Sequence, residues 1–237
     1  MIRVLIGSLI VLLVSGCDTL TQDRDVAPRL TLVPTFKNEQ DLIFSFEMYS
    51  IEQVNSFACE ILFDSDVFET YTEPFVDNNN NGGCEYDEEY YDCGLDKLCN
   101  EDEPGYNATT NPDPNIDDYD ENDPYNLEKV ENNGIWDDNT IIFESAFAAI
   151  PHFAPISKSE YGKLSILGAL VELEDGLPLV FEAIDSKIAT IHLKIKQNVP
   201  LPDQTMITFG NWQLLQEDGV GAYFGGMVLT DTLFIDF

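Results

Sequence analysis

The sequence predicts an all-β protein, an antiparallel two-sheet sandwich interrupted by a long acidic, cysteine-containing insertion. Short apolar segments alternate with polar residues at the two-residue period of a strand, turn-forming residues separate these segments, and no convincing amphipathic helix occurs. With residues 1–28 and the insertion at 77–139 set aside, roughly 145 residues remain, enough for one two-sheet core.

The clearest strand lies before the insertion. Phe57, Cys59, Ile61 and Phe63 occupy alternate positions, as expected of a half-buried strand. Turns rich in Asp, Asn, Gly and Pro, such as residues 64–66, separate this strand from its neighbours. The other predicted strands are Arg29–Phe36, Asp41–Tyr49, Thr140–Phe147, Ser165–Glu172, Ile188–Lys196, Thr205–Phe209 and Met227–Phe237.

The N-terminus predicts export. Arg3 precedes an apolar run from Val4 to Val14 that is too short to span a bilayer, and small residues follow it. This pattern predicts a signal peptide over residues 1–16. The stretch Leu13–Cys17 resembles the bacterial lipobox, which implies that Cys17 becomes the lipid-modified N-terminus. The alternative is an ordinary secretory signal with Cys17 as a free thiol.

Residues 17–28 are polar and lack an apolar period, so we expect a tether between lipid and domain. The sequence thus predicts a lipid-anchored protein of the bacterial cell envelope, at the outer membrane or cell surface rather than the inner membrane.

Export makes the remaining cysteines, Cys59, Cys84, Cys93 and Cys99, candidates for disulfides. We favour a Cys93–Cys99 bridge, which leaves Cys59 and Cys84 to tie the insertion to the sandwich. Cys59 is alternatively a buried free thiol, because it lies in an alternating strand. Zinc is not favoured, since no C-x2-C pair and no nearby His occur.

The charge is concentrated in the insertion. The chain has 44 acidic and 11 basic residues, a formal net charge of −33, and residues 77–139 hold 20 of the acids against Lys97 and Lys129 alone. Nucleic acid is excluded as a partner because phosphates require a basic surface. So dense a negative charge repels itself unless cations neutralise it.

One segment of the insertion matches a metal-binding template. Residues 77–88, DNNNNGGCEYDE, fit the calcium-loop pattern D-x-[DN]-x-[DN]-G-x5-E at every specified position. All predicted donors are oxygens, so Ca²⁺ is the expected ion. The predicted ligands are Asp77, Asn79, Asn81, the carbonyl of Gly83, Glu85 through water, and Glu88 as a bidentate carboxylate.

A second segment, Glu131–Asn139, fits the template less completely. Its predicted ligands are Glu131, Asn133, the carbonyl of Ile135 and Asp137, but it lacks a first-position Asp and a closing acid. A third candidate cluster rests on oxygen content alone: Asp113, Asn115, Asp117, Asp118 and Asp120. The alternative for the whole insertion is a disordered acidic loop.

Two resemblances follow from these segments. Val54–Glu69, Lys187–Lys196 and Thr205–Gly219 resemble the strands of cohesin modules and related carbohydrate-binding sandwiches, which implies a non-catalytic binding domain. A cohesin has no such insertion, so dockerin binding is not carried over. The stretches Asp92–Asn107 and Asn111–Asn122 are similar in chemistry to thrombospondin type 3 repeats, in which calcium ions serve as the core.

No catalytic constellation is present in the sequence. The two histidines, His152 and His192, have no identifiable nucleophile beside them, and His192 is expected to face solvent. We therefore predict a calcium-stabilised, non-catalytic binding or adhesion module for another envelope or extracellular protein. The alternatives are a carbohydrate-binding module for polysaccharide, with Trp212, Tyr223 and Phe224 stacking on sugars, and a calcium-dependent spacer.

Overall fold

A computed structural model describes residues 29–123, 126, 129–144, 153–170, 181–216, 222–224 and 229–237. These residues form eleven β-strands and a single 3-10 turn at Asn100–Asp102. The predicted signal peptide, Cys17, the tether and His152 lie outside the described residues. No helix of the described part is long and apolar enough to cross a membrane.

The strands follow in chain order on both sides of the insertion. They are β1 (Arg29–Lys37), β2 (Asp41–Leu62), β3 (Phe68–Thr70), β4 (Ile141–Phe143), β5 (Phe153–Glu160), β6 (Lys163–Leu170), β7 (Phe181–Ile195), β8 (Gln204–Gln216), β9 (Ala222–Phe224), β10 (Leu229–Thr230) and β11 (Thr232–Asp236). The insertion joins β3 to β4.

Strand β2 belongs to both sheets of the sandwich. Residues 41–54 pair with β7, and the first part of this stretch also pairs with β1, whereas residues 56–62 lie between β6 and β8. Strands β3 and β4 extend the first sheet at β7, and β5, β9 and β11 extend the second at β6 and β8. All these pairings are antiparallel, which confirms the predicted sandwich, and only the two-residue β10 pairs in parallel, with β1, among the described strands.

The prediction of two separate strands over residues 41–49 and 57–63 is therefore wrong, because both belong to the single strand β2. The intervening, mostly polar residues continue the strand, and the pairing of β2 with β7 shifts register between Phe46 and Glu47 and between Met48 and Ile51. Such bulges bend a strand and increase its local twist, which allows one strand to serve two sheets.

The core forms where inward side chains of the two sheets meet. Phe44, Phe46, Ile61 and Leu164 are completely buried, and Phe46 packs edge-on against Phe57 with ring centroids 6.4 Å apart. The predicted inward positions Phe57, Cys59, Ile61 and Phe63 are all buried. Alternation along the strand therefore identified the core correctly.

The structure also contains strands that the sequence pattern did not predict. β5 begins after Pro151 and carries Ser157 and Ser159 on its inward positions, so it lacks the apolar alternation of a half-buried strand. β3 has only three residues. Of the strand predicted over residues 140–147, the described part forms Ile141–Phe143, and residues 145–147 lie outside the described residues.

Candidate functional site

The carboxylates at the two ends of Asp77–Glu88, the first acidic loop, gather its backbone. Asp77 Oδ1 accepts a hydrogen bond from the N–H of Asn81 at 3.2 Å. Glu88 Oε1 accepts one from Asn78 N at 2.8 Å, and Glu88 Oε2 accepts one from Glu85 N at 3.0 Å. Both ends of the predicted ligand set are therefore directed into the same loop.

The middle of this loop turns sharply inside these contacts. Asn80 and Gly82 have φ values of 60° and 81°, in the left-handed region that glycine and asparagine tolerate. The N–H of Gly82 donates to Asp77 Oδ2 at 2.9 Å, and that of Gly83 donates to Asn81 Oδ1 at 2.8 Å. The turn predicted at Gly82 is present.

Glu85 links the loop to the sandwich. Its two carboxylate oxygens accept hydrogen bonds of 3.0 Å from the side-chain amides of Asn79 and Asn81. Lys158 of β5 approaches Glu85 Oε1 at 3.0 Å, and this contact lowers the pKa of Glu85. All six predicted ligands thus belong to one hydrogen-bonded loop.

The loop packs directly on the turn between β5 and β6. The N–H of Tyr161 donates to the Asn81 carbonyl at 2.8 Å. A Cβ on Gly82 would lie 2.5 Å from Tyr161 N, and one on Gly83 would lie 2.5 Å from the Ser159 carbonyl oxygen. Both glycines are thus required by the close approach of two backbones.

The second acidic loop, Glu131–Asn139, repeats much of this bonding. Asp92 accepts hydrogen bonds from Asn133 N at 3.2 Å and Gly134 N at 2.6 Å, as Asp77 does in the first loop. Asn133 Oδ1 accepts from Ile135 N at 2.7 Å, and Asn133 Nδ2 donates to Asp137 Oδ2 at 2.6 Å. Asp92 thus occupies the place of the missing first-position Asp.

Glu73 takes the place of the missing closing acid. Its side chain is completely buried, and its carboxylate accepts hydrogen bonds from Asp137 N and Gly94 N, each at 2.9 Å. Trp136 Nε1 donates to the Glu73 carbonyl at 3.1 Å. Burial raises the pKa of Glu73 to about 7, although the two backbone N–H groups oppose that rise.

Glu131, a predicted ligand of the second loop, is directed elsewhere. Its Oε1 accepts a hydrogen bond from Asn100 N at 2.8 Å, and its side chain interacts with Asp117. Burial, reinforced by repulsion from neighbouring carboxylates, raises the pKa of Glu131 to about 8 and that of Asp117 to about 6. The arrangement of the second loop thus joins Asn133 and Asp137 to Asp92 and Glu73, with Glu131 outside it.

One of the two predicted disulfides is present. Cys93 and Cys99 are bonded, which confirms the favoured pair. The bridge between Cys59 and Cys84 is wrong, because both are free thiols. Cys59 points into the core, where burial raises the pKa of its thiol, whereas Cys84 lies in the first acidic loop. The alternative prediction, that Cys59 is a buried free thiol, is confirmed.

A largely apolar row crosses the outside of the β5-β6-β2-β8 sheet. Ile156, Leu167 and Ala58 are directly paired on neighbouring strands, and the side chains of Ile156 and Leu167 are 60% and 42% exposed. The next row contains Lys158 and Glu60. We call this surface, with its groove of about 460 Å³, the outer face.

The structure also defines the contacts of two other residues singled out in the sequence, His192 and Trp212. His192 lies on the predicted side of β7, but it is not freely exposed: Tyr71 stacks on it at 3.9 Å between ring centroids, and its Nε2 lies 3.0 Å from Asp41 Oδ1. Trp212 is partly buried and packs against the core. The side chains of Tyr223 and Phe224 lie outside the described residues.

Solved structures of similar architecture are cohesin modules. One belongs to a family 33 glycoside hydrolase of Clostridium perfringens, with 10% identity, a TM-score of 0.45 and coverage of 89% of this chain and 96% of that one. A type II cohesin domain from the cellulosome of Acetivibrio cellulolyticus has 10% identity, a TM-score of 0.46 and coverage of 89% and 95%.

A non-cellulosomal cohesin from Archaeoglobus fulgidus has 7% identity, a TM-score of 0.43 and coverage of 89% of this chain and 91% of that one. No family model and no curated protein sequence matches the chain. The class defined by the fold and the site is thus an all-β sandwich with an oxygen-rich acidic insertion.

The role of Glu73 predicts a local effect of its replacement. Glu73→Gln replaces one acceptor oxygen with an amide donor, so either Gly94 N or Asp137 N loses its partner. We expect a loss of about 1–3 kcal/mol in the stability of the insertion, the cost of an unsatisfied buried donor. Hydrogen exchange of the Gly94 and Asp137 amides measures this loss. Glu89→Gln, at an exposed carboxylate nearby, is the matched control, and equal protection in both variants would contradict the assignment.

Proposed function

We propose that this protein is a calcium-stabilised, non-catalytic binding module that docks another envelope or extracellular protein through its outer face. The observation that carries the proposal is the packing of the first acidic loop on the β5–β6 turn. The same two strands present Ile156 and Leu167. An ion in the loop would thus stabilise the hairpin that forms half of the outer face.

The donor set of the first loop supports calcium as the ion. Every side chain directed into the loop offers oxygen, and Asp77 and Glu88 supply carboxylates at its two ends. Calcium accepts six to eight oxygen ligands, including a bidentate carboxylate and a backbone carbonyl. Asp77, Asn79, Asn81, Gly83 and Glu88, with Glu85 through water, match that requirement in residue type and spacing.

The second acidic loop supports a second ion of the same kind. Asp92, Asn133, Asp137 and Glu73, with the Ile135 carbonyl, would be its ligands. Glu73 is buried without a cationic partner among the described ion pairs, so the bound cation would also supply the missing positive charge. Calcium would then order the part of the insertion that contacts β3 and β7.

The outer face supports a protein partner over a polysaccharide. Its central row is aliphatic, and Lys158, Lys163, Glu60 and Glu160 flank it with both signs of charge. Protein interfaces combine an apolar centre with a polar rim, whereas sugar binding relies on exposed aromatic faces. Trp212, the described candidate for stacking, instead packs against the core.

The N-terminal sequence supports a position of the module in the bacterial envelope. Lipidation at Cys17 would anchor it in the bacterial envelope, most consistently at the outer membrane or cell surface, with residues 17–28 as the tether. A binding surface tethered to a membrane meets its partner at a raised effective concentration.

Lipidation is tested by metabolic labelling of the full-length chain. Radioactive palmitate should label the wild-type protein and should not label Cys17→Ser, because the thioether needs the Cys17 sulfur. Cys84→Ser is the matched control and should be labelled as the wild type is. Equal labelling of the Cys17→Ser variant would refute the anchor.

Calcium binding is tested by thermal unfolding in calcium and in excess chelator. At a free calcium concentration 100 times the dissociation constant, each site should raise the free energy of unfolding by about 2.7 kcal/mol, because calcium binds preferentially to the folded state. Asp77→Asn combined with Glu88→Gln should lose the contribution of the first loop. Asp87→Asn, an exposed carboxylate of the same loop, should retain it. Identical melting in calcium and chelator would exclude the calcium role.

The docking face is tested by comparing variants in one capture experiment. The immobilised full-length chain should retain a partner from an envelope extract, and Ile156→Asp with Leu167→Asp should abolish that retention, because two charges are placed in the apolar row. Phe36→Asp on β1 is the control, since Phe36 is 49% exposed and lies in the other sheet. Retention of the same protein by both variants would place the interface elsewhere.

A further inference from the structure

We propose a separate calcium site beneath the disulfide loop, formed by Asp96, Asn100, Glu103, Asp117 and Glu131, which we call the oxygen cluster. It shares no ligand with the first acidic loop or with the Asp92–Glu73 arrangement of the second. Its residues come from three separate stretches of the insertion, and their side-chain donors to a metal are all oxygens.

The spacing of the cluster fits a cation. Asp96, Glu103 and Asp117 each offer a carboxylate oxygen, and these three atoms all lie within 4.8 Å of one another. Carboxylate and amide oxygens are the ligands of a hard divalent cation, and calcium accepts more such protein oxygens than magnesium, which usually keeps several waters. The number of oxygen side chains in the cluster therefore favours calcium.

Several of these oxygens are buried without a hydrogen-bond partner. The unpartnered atoms are Asn100 Oδ1, Glu103 Oε1, Asp117 Oδ1 and Glu131 Oε2. Glu103 and Glu131 are only 4% and 1% exposed. Glu103 and Asp117 belong to the three carboxylates that lie within 4.8 Å of one another, and Glu131 contacts both Asp117 and the backbone of Asn100. Buried polar atoms of a folded protein nearly always have a partner, so these unpartnered oxygens indicate a missing positive ligand.

The other side-chain atoms of three of these residues are already held by neighbours. Glu103 Oε2 accepts from Asn115 N at 3.0 Å, and Glu131 Oε1 accepts from Asn100 N at 2.8 Å. Asn100 Nδ2 donates to Asp118 Oδ1 at 3.0 Å. These contacts leave one oxygen of each side chain available to the ion. Such second contacts fix the orientation of metal ligands.

Lys97 and Lys194 form no ion pair with the cluster among the described residues. Lys97 pairs with Glu69 at 3.2 Å, and Lys194 donates to the Leu95 carbonyl. A single water offers two hydrogens and no charge, which does not satisfy four acceptors.

The disulfide and one glycine hold the two sides of the cluster together. Cys93–Cys99 closes the short loop that contains Asp96 and ends beside Asn100. A Cβ on Gly94 would lie 2.7 Å from Asp117 Oδ2, and the φ of Gly94 is +69°. The absence of a side chain at Gly94 therefore allows Asp117 to approach the disulfide loop.

The test counts calcium ions bound to the full-length chain by native mass spectrometry and measures their affinities by calorimetry with calcium chloride. Glu103→Gln and Asp117→Asn should each remove one ion or weaken its binding at least tenfold. The loss should add to that of the Asp77→Asn, Glu88→Gln variant, so that failure of this site and failure of the first loop are distinguishable.

Glu101→Gln is the matched control, because Glu101 is exposed, lies two residues from Glu103 and undergoes the same change of charge. It should keep the wild-type number of ions and their affinities. Wild-type stoichiometry and affinity in both Glu103→Gln and Asp117→Asn would overturn the proposal.

A crystal of the wild-type chain grown in calcium gives an answer that does not depend on the folding of a variant. Anomalous density between the carboxylates of Glu103 and Asp117 would support the site. Its absence at a calcium concentration that saturates the first acidic loop would overturn it.

Discussion

Hydrogen bonds from backbone N–H groups to carboxylate oxygens hold the insertion in shape. The insertion has few buried apolar side chains, so its backbone donors cannot be organised around a hydrophobic core. Asp77, Glu88, Asp92 and Glu73 each collect two or more N–H groups and so fix the turns between them. The same oxygens are of the kind that ligate a hard cation, so one set of atoms would define both the local fold and the proposed metal chemistry.

This arrangement connects the acidic insertion to the sandwich at a small number of places. Glu73 is buried where the chain leaves β3, and its carboxylate reaches Gly94 and Asp137, which are 21 and 64 residues further along the chain. The first acidic loop contacts the β5–β6 turn through Asn81 and Tyr161. In the proposed function, an ion bound in the first acidic loop would act on the hairpin that carries the outer face through this contact.

Sequence patterns succeeded where structure is local. The alternation of Phe57, Cys59 and Ile61 predicted their burial, and the Asp77–Glu88 spacing predicted a loop whose end carboxylates converge on one backbone. Patterns failed where a strand lacks that signature. β5 carries serines at its inward positions and was not predicted. β2 continues through a mostly polar stretch, so neither the length of β2 nor its membership of both sheets was predicted.

The sequence by itself determined the fold class, the acidic insertion and the first acidic loop, because each depends on residue spacing within a few turns or strands. Only the tertiary structure decided which distant residues meet. It brings Asp92 and Glu73 to Asn133 and Asp137, directs Glu131 to the oxygen cluster, and leaves Cys59 in the core without a disulfide partner. Such contacts depend on how the insertion folds back on β3 and β7, and residue spacing along the chain carries no information about that path.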